Sequence, residues 1–208
     1  MTLYIPKHFN VEDADALFAF IERNAFATLV STGPQGLHVS HVPLLPERDG
    51  AGVVRLLGHV ARGNPQWQAL ESATEVLAIF HGPHAYVSPS WYQAQPSVPT
   101  WNYAVVHAHG RARLLDEAAL HDLVIRLSDT YEAGRAKPWR AVDLPGDYTS
   151  NMLKAIVGFE IEVTKLEGKF KLSQNRPVEV ARVIAALEAE GEGGTAALMR
   201  AAAETPKG

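Results

Sequence analysis

The chain has 208 residues, and its 47% hydrophobic and 20% charged residues are ordinary globular chemistry with enough apolar material for a sizeable core. It contains no cysteine, which excludes a disulfide framework, a thiol nucleophile and any cysteine-containing zinc site. The net charge of −4 argues mildly against DNA binding, where lysine and arginine at the phosphates supply most non-specific affinity, although a local basic patch remains compatible with it.

Met1-Thr2-Leu3-Tyr4-Ile5-Pro6 lacks the basic-then-apolar pattern of a signal segment, and no apolar run approaches membrane-spanning length, so a soluble cytoplasmic protein is expected. Asn10 is placed to cap a helix over Val11 to Arg23, with Glu12, Asp13 and Asp15 in the first turn and Leu17, Phe20 and Ile21 toward a core. From Ala25 the pattern turns β-like. Phe26 to Thr32 reads as a strand, Gly33-Pro34-Gln35-Gly36 as a turn and Leu37 to Val42 as a strand alternating at period two, which together make a hairpin.

Glu47-Arg48-Asp49-Gly50 is a second turn before a strand at about Val53 to Leu57. Asn64 to Ser72 suits a helical turn or short helix, with Pro65 in the first position, and Val76 to Phe80 is a short buried-type strand. Rigid aromatic loops are expected next, up to a long strand from Tyr103 to Leu114 in which Gly110 marks a bulge or a close approach. Asp116 caps a helix to about Ala133, whose Leu120, Leu123, Val124, Leu127 and Tyr131 form one apolar stripe suited to covering a barrel.

Pro138, Trp139 and Pro145 mark an ordered connection, a short helix follows around Thr149 to Lys154, and Ile156 to Val163 is the last clear strand. Pro177 opens a helix to about Glu190, glycines at 191, 193 and 194 break it, Thr195 to Ala203 is helical again, and Thr205 to Gly208 is expected to fray. At least five strands at hairpin-like spacing, without regular strand-helix alternation, favour an antiparallel barrel over a doubly wound sheet.

The chemistry concentrates between Leu57 and Tyr103, which holds three of the four tryptophans and three of the six tyrosines. Such a segment suits a flat ligand. Arg62 can make a bidentate contact to a phosphate, with Lys171, Ser173 and nearby backbone as further donors. Trp101 and Tyr103, or Trp67, can wall a slot for a planar ring, and Gln174 and Asn175 suit hydrogen bonds to its polar edge. The same pattern is equally served by a surface arginine and core aromatics.

Other constellations are weaker. His107 and His109 share one side of a strand, and His81 and His84 flank a Gly-Pro turn, but neither pair has a third ligand at metal spacing. His38 and His41 face opposite sides of their strand. Ser88 and Ser90 lack the Gly-x-Ser-x-Gly elbow of a hydrolase. Glu160 and Glu162, alternating with Phe159, Ile161 and Val163, read as a solvated face rather than an acid/base pair. The last two helical stretches resemble a helix-turn-helix in outline, yet the second offers one arginine among alanines and reads better as a docking helix.

The blocks Gly58 to Trp67, Phe80 to Tyr92, Val98 to Tyr103 and Gly168 to Arg176 resemble the PaiB family of FMN-binding split-barrel proteins, associated with negative regulation of transcription, over Tyr4 to about Leu187. The resemblance implies an α+β fold: an antiparallel, Greek-key-like FMN-binding split β-barrel with flanking helices, over residues 1–176, and a C-terminal helical extension packed on it, over 177–208. It implies FMN as cofactor, a homodimer with FMN near the subunit interface, and near-side contacts from His38 to Val42 and from Gly58 to Arg62. The cofactor-binding set expected on this basis is His41, Gly58, His59, Val60, Arg62, Asn64, Trp101, Tyr103, Lys171, Ser173, Gln174 and Asn175. Arg62 and Lys171 would anchor the phosphate, and His59, Trp101 and Tyr103 would frame the ring.

Two functions follow from the resemblance. One is a negative transcriptional regulator acting as a flavin-dependent sensor or through a partner, with direct DNA contact doubtful; the other is a flavin-dependent oxidoreductase acting on a small substrate or nicotinamide cofactor. No Gly-x-Gly-x-x-Gly fingerprint is present, so a nicotinamide donor would dock directly on the flavin. Haem or another flat ligand in the same slot is a third, weaker option.

Overall fold

The computed structural model describes residues 3–73 and 75–204; Thr205 to Gly208, where fraying is expected, lie outside the described residues. In chain order the strands are β1 (Asn10–Val11), β2 (Phe26–Gly33), β3 (Gly36–Pro43), β4 (Leu45–Arg48), β5 (Val54–Ala61), β6 (Val76–Val87), β7 (Thr100–Leu114) and β8 (Ile156–Lys171). The helices are α1 (Ala14–Arg23), α2 (Gln66–Ser72), α3 (Glu117–Glu132), α4 (Gly146–Leu153), α5 (Val180–Ala189) and α6 (Gly193–Glu204). The strands form one sheet in the order β3-β2-β6-β7-β8-β5-β4, with β1 paired to β8, and the registered pairs are antiparallel. Among the described residues no helix is long and apolar enough to cross a membrane.

The chain divides into two compact units. Unit 1 comprises Met1–Phe20, His81–His107 and Glu167–Gly208; unit 2 comprises Ile21–Phe80 and Ala108–Leu166, so β6, β7 and β8 each contribute to both.

In unit 2, β2 and β3 form the expected hairpin, in register from Phe26 opposite Pro43 to Gly33 opposite Gly36. β3 also approaches β5, which curls the sheet back on itself in the manner of a barrel. Leu29, Leu44, Leu56, Phe159 and Ile161 fill the interior and are fully buried. The backbone runs so close to neighbouring side chains at Gly58 that a Cβ would lie 2.6 Å from Leu44 Cδ2 and 3.0 Å from Phe159 Cζ. Gly110 is the close approach expected of it: a Cβ there would lie 2.4 Å from the Glu162 carbonyl oxygen. Leu123 and Leu127 of α3 pack on Leu57 of β5, and Asp116 Oδ1 caps α3 by accepting from the Ala119 N–H at 2.8 Å.

That packing corrects the reading of Glu160 as solvated. Register sets Leu57 opposite Glu160, so both lie on the sheet face that α3 covers. Glu160 is buried and accepts from Arg113 Nε at 3.0 Å and Nη2 at 3.1 Å, while Arg55 Nε stands 3.7 Å away. Glu162 stays exposed.

Unit 1 has its own core. Ala85 and Val87 of β6, Leu172 after β8, Val183, Ile184 and Leu187 of α5 and Ala196 and Met199 of α6 are buried together. The expected C-terminal helices therefore share a hydrophobic interior with strand residues. Asn10 is not a helix cap: it pairs with Lys169 in β1, and Asp13 Oδ1 instead accepts from the Asp15 and Ala16 N–H groups at 2.9 and 3.3 Å.

Three strands run past their expected ends, because adjacent strands pair with residues that local pattern assigns to loops. β5 continues through Gly58 to Ala61, β8 through Gly168 to Lys171, and β6 through His81 to Val87. The first part of the segment expected as aromatic loops, His81 to Val87, is thus strand, while residues 88–99 stay outside the sheet. Pro83 is tolerated because β2 pairs only with Val76 to Phe80, so beyond Phe80 that edge of β6 asks no N–H of the chain.

Candidate functional site

Unit 2 holds Gly58, His59, Val60, Arg62 and Asn64 at and just beyond the end of β5, and His41 apart from them, exposed on β3. β4 pairs only with residues 54–57, so from Gly58 onward that edge of β5 has no ladder partner among the described strands. Polar backbone groups on such an edge suit an anion. Gly58 and Val60 are themselves buried, Gly58 against Leu44 and Phe159, so the accessible part of this edge begins beyond Val60.

Arg62 follows directly on β5. Its Nε donates to the Lys154 carbonyl at 2.7 Å and its Nη2 to the Ile156 carbonyl at 3.0 Å, so two of the five guanidinium N–H groups are engaged and the remaining three are available to a phosphate. These carbonyls hold the side chain in one pose. Trp67 Nε1 donates to the Arg62 carbonyl at 3.1 Å, which ties the first turn of α2 to the same residue.

His59 carries a signature of a missing partner. Its Nδ1 is buried and has no hydrogen-bond partner among the described residues, and burial pushes its pKa below the usual imidazole value. A neutral imidazole presents one donor and one acceptor, both of use at the polar edge of a heterocycle. Asn64 Nδ2 donates to Ser40 Oγ at 2.8 Å while its Oδ1 accepts from the Gln66 N–H at 3.0 Å, capping α2 from just before Pro65. His41 Nδ1 pairs with Thr28 Oγ1 at 3.1 Å.

Sequence reasoning missed Gln66. It is buried, and its Nε2 lies 3.1 Å from the Leu29 carbonyl, 3.2 Å from Ser31 Oγ and 3.2 Å from the His38 carbonyl, so it fastens α2 across β2 and β3. Its Oε1 is buried without a partner among the described residues. An uncharged polar residue right after Asn-Pro at a helix start is the only available signal, and it is a weak one.

Unit 1 gathers Trp101, Tyr103, Lys171, Ser173, Gln174 and Asn175. Trp101 and Tyr103 line a cleft of about 330 Å³ together with His81, His84 and Val105. Lys171 Nζ donates to Thr100 Oγ1 at 2.5 Å and to the Trp101 carbonyl at 2.6 Å. Ser173 is buried in the left-handed region at φ 67° and exchanges hydrogen bonds with Asn102 at 2.9 and 3.2 Å. Gln174 spans its own turn, accepting from the Leu172 N–H at 2.7 Å and donating to the Phe170 carbonyl at 2.6 Å. Ser173 and Gln174 thus use their polar atoms to shape the chain end of β8, and Asn175 is exposed.

A curled antiparallel sheet flanked by helices is the architecture of the flavin-binding split barrels. Solved structures share it, two of them as follows. Flavocytochrome Anf3 from Azotobacter vinelandii matches with a TM-score of 0.59 at 17% identity, over 80% of this chain and 72% of that one. The FAD and heme binding protein from Mycobacterium smegmatis matches with a TM-score of 0.59 at 14% identity, over 78% and 73%. At such identities the likeness establishes the fold alone.

Residues 3–165 match the family model described as "Putative FMN-binding domain". The chain is also 39% identical over 175 residues to protease synthase and sporulation protein PAI 2 of Bacillus subtilis, covering 84% of this chain and 83% of that protein. The chain belongs to this PaiB family of FMN-binding-domain proteins.

Proposed function

We propose that the chain is a cytoplasmic FMN-binding protein that acts as a negative regulator of transcription, its flavin serving as a sensor read out through a protein partner. The observation that carries the cofactor assignment is the buried, unpartnered Nδ1 of His59 on the strand that leads into Arg62. The donor set fits FMN: Arg62 and the exposed chain end after Val60 take the phosphate, and neutral His59 meets polar groups of the ribityl-flavin, while Asn64 fixes the turn into α2. Bound flavin supplies reversible electron transfer, and the protein's part is to hold it and tune it.

The make-up of α6 supports regulation through a partner over direct base reading. Its Thr195, Ala196 and Met199 are buried, and its single arginine, Arg200, pairs with Glu188. Little is left to meet bases or phosphates.

A homodimer is part of the proposal. Phe26, Val39 and Leu37 lie on one face of the β2–β3 hairpin, since Phe26 pairs with Pro43, Val30 with Val39 and Thr32 with Leu37, and all three side chains are largely exposed. An apolar sheet face of that kind supports burial against a second copy, with FMN near the interface.

A flavin-dependent oxidoreductase is the second reading, favoured by the open aromatic cleft of unit 1, which has room for a small substrate. One experiment separates them: the visible spectrum of FMN-titrated protein, recorded with and without NADH or NADPH. Flavin bands that persist with the reductant are the expected result; rapid bleaching with turnover favours the oxidoreductase, and no flavin uptake overturns the cofactor assignment.

A further inference from the structure

Lys169 and Lys171 stand two apart on β8 and so share one face of the strand. Lys169 is buried, with its Nζ 5.4 Å from the ring centroid of Tyr4 and 5.5 Å from that of Tyr103. Lys171 Nζ lies 5.9 Å from the Phe9 centroid and donates to two neutral oxygens, Thr100 Oγ1 and the Trp101 carbonyl. Neither ammonium has a carboxylate partner among the described residues. Two like charges held this close without a counter-ion are unfavourable, and an ammonium with three N–H groups and two neutral acceptors keeps one donor in hand.

The Phe9 ring beside Lys171 is buried and Tyr103 is half-buried, but the ring of Trp101, whose carbonyl accepts from Lys171, is open. Trp101 is 54% exposed, its centroid 5.9 Å from that of Tyr86 in an edge-on arrangement and 6.3 Å from that of His84. Tyr103, the ring under Lys169, lines the same cleft, whose volume of about 330 Å³ falls at the small end of the range for small-molecule sites, roughly 300–1,000 Å³. That is room for one or two fused rings. Exposed aromatics give a flat molecule its stacking surface, and the uncompensated lysine pair gives an anionic group its counter-charge.

From this juxtaposition we propose that the unit 1 cleft is a ligand site of its own for a small planar aromatic or heteroaromatic carboxylate, its ring against Trp101 and Tyr103 and its carboxylate at Lys171. The proposal does not rest on the flavin assignment, which uses residues of unit 2. Burial and the neighbouring charge of Lys169 hold the Lys171 pKa below the usual lysine value, a strain that a bound anion relieves.

Isothermal titration with indole-3-carboxylate and with its neutral amide, on protein with and without saturating FMN, tests the proposal. The carboxylate binds about tenfold more tightly than the amide, as a charge-assisted contact requires. Lys171→Gln brings the carboxylate down to the amide, Lys171→Arg largely restores the difference, and Trp101→Ala weakens both ligands by about threefold to tenfold. FMN leaves all these affinities unchanged. Equal binding of acid and amide, no binding of either, or an unaltered preference in a folded K171Q protein overturns the proposal, with circular dichroism establishing the fold. Displacement of the carboxylate by FMN also overturns it, since the cleft would then be the flavin's own; flavin absorbance reads the cofactor assignment separately.

Discussion

Replacing Glu160 by glutamine tests whether the α3-covered face of β8 carries a real charge contact. Glu160 is 11% exposed at its side chain and receives two guanidinium N–H donors from Arg113 at 3.0 and 3.1 Å, but Arg113 is itself 67% exposed. A hydrogen bond to a charged group contributes about 1.5–3 kcal/mol when shielded, and an exposed ion pair about 0–1 kcal/mol. With one partner buried and the other in water, the pair sits between these limits. Glutamine also turns an N–H toward the guanidinium, so one of the two contacts becomes donor against donor. The expected loss is about 1.5–2 kcal/mol, which for a chain of this size lowers the melting temperature by about 3–8 °C. Urea denaturation of E160Q, R113M and the double variant measures the coupling between the two side chains. A loss below about 0.5 kcal/mol with no coupling would refute the reasoning and return Glu160 to the solvated face that strand alternation suggests.

Gly110→Ala forces a methyl against the Glu162 backbone carbonyl, which cannot swing away, and is expected to lose more than about 3 kcal/mol or fail to fold; Gly50→Ala, with nothing near its added Cβ, serves as the control in the same denaturation assay. Arg62→Ala removes the phosphate grip, so FMN affinity measured by absorbance titration falls about 10- to 100-fold, and an unchanged affinity refutes the assignment of Arg62. The Glu179 carboxylate accepts from the Gln93 and Ala94 N–H groups, which hold its pKa below the usual carboxylate value. Its folded pKa is depressed, so its contribution is present at neutral pH and is lost as pH falls through the ordinary carboxylate range to the folded value. Urea midpoints followed from pH 7 downward should therefore drop more steeply in the native protein than in Glu179→Gln, and parallel curves would show the contact to be idle.

Local features were legible where the cause is local. The β2–β3 hairpin, the Asp116 cap of α3 and the start of α2 behind Pro65 all follow from residues close together in the chain. The cap at Asn10 failed for the same kind of reason in reverse. Its backbone pairs with Lys169, far along the chain, and that partner has no mark in the neighbouring sequence.

The candidate site divides in the same way. Arg62, His59 and Trp101 drew attention as residue types whose chemistry is evident from their side chains. Gln66 did not, because its importance comes from three acceptors on β2 and β3. Ser173 and Gln174 suggested ligand contacts by type, and their hydrogen bonds to Asn102, Leu172 and Phe170 emerge only when the turn after β8 closes.

By itself the sequence determined the class of the fold, the absence of thiol chemistry and the starts of β2, β6, β8 and α3, because side-chain period, cysteine content and capping residues act over a few positions. Tertiary structure decided where β5, β6 and β8 end, which face of β8 is dry, and which cations stand without a counter-ion. Those properties belong to pairs of residues brought together across the sheet, and a pair exists only once the strands have found their register.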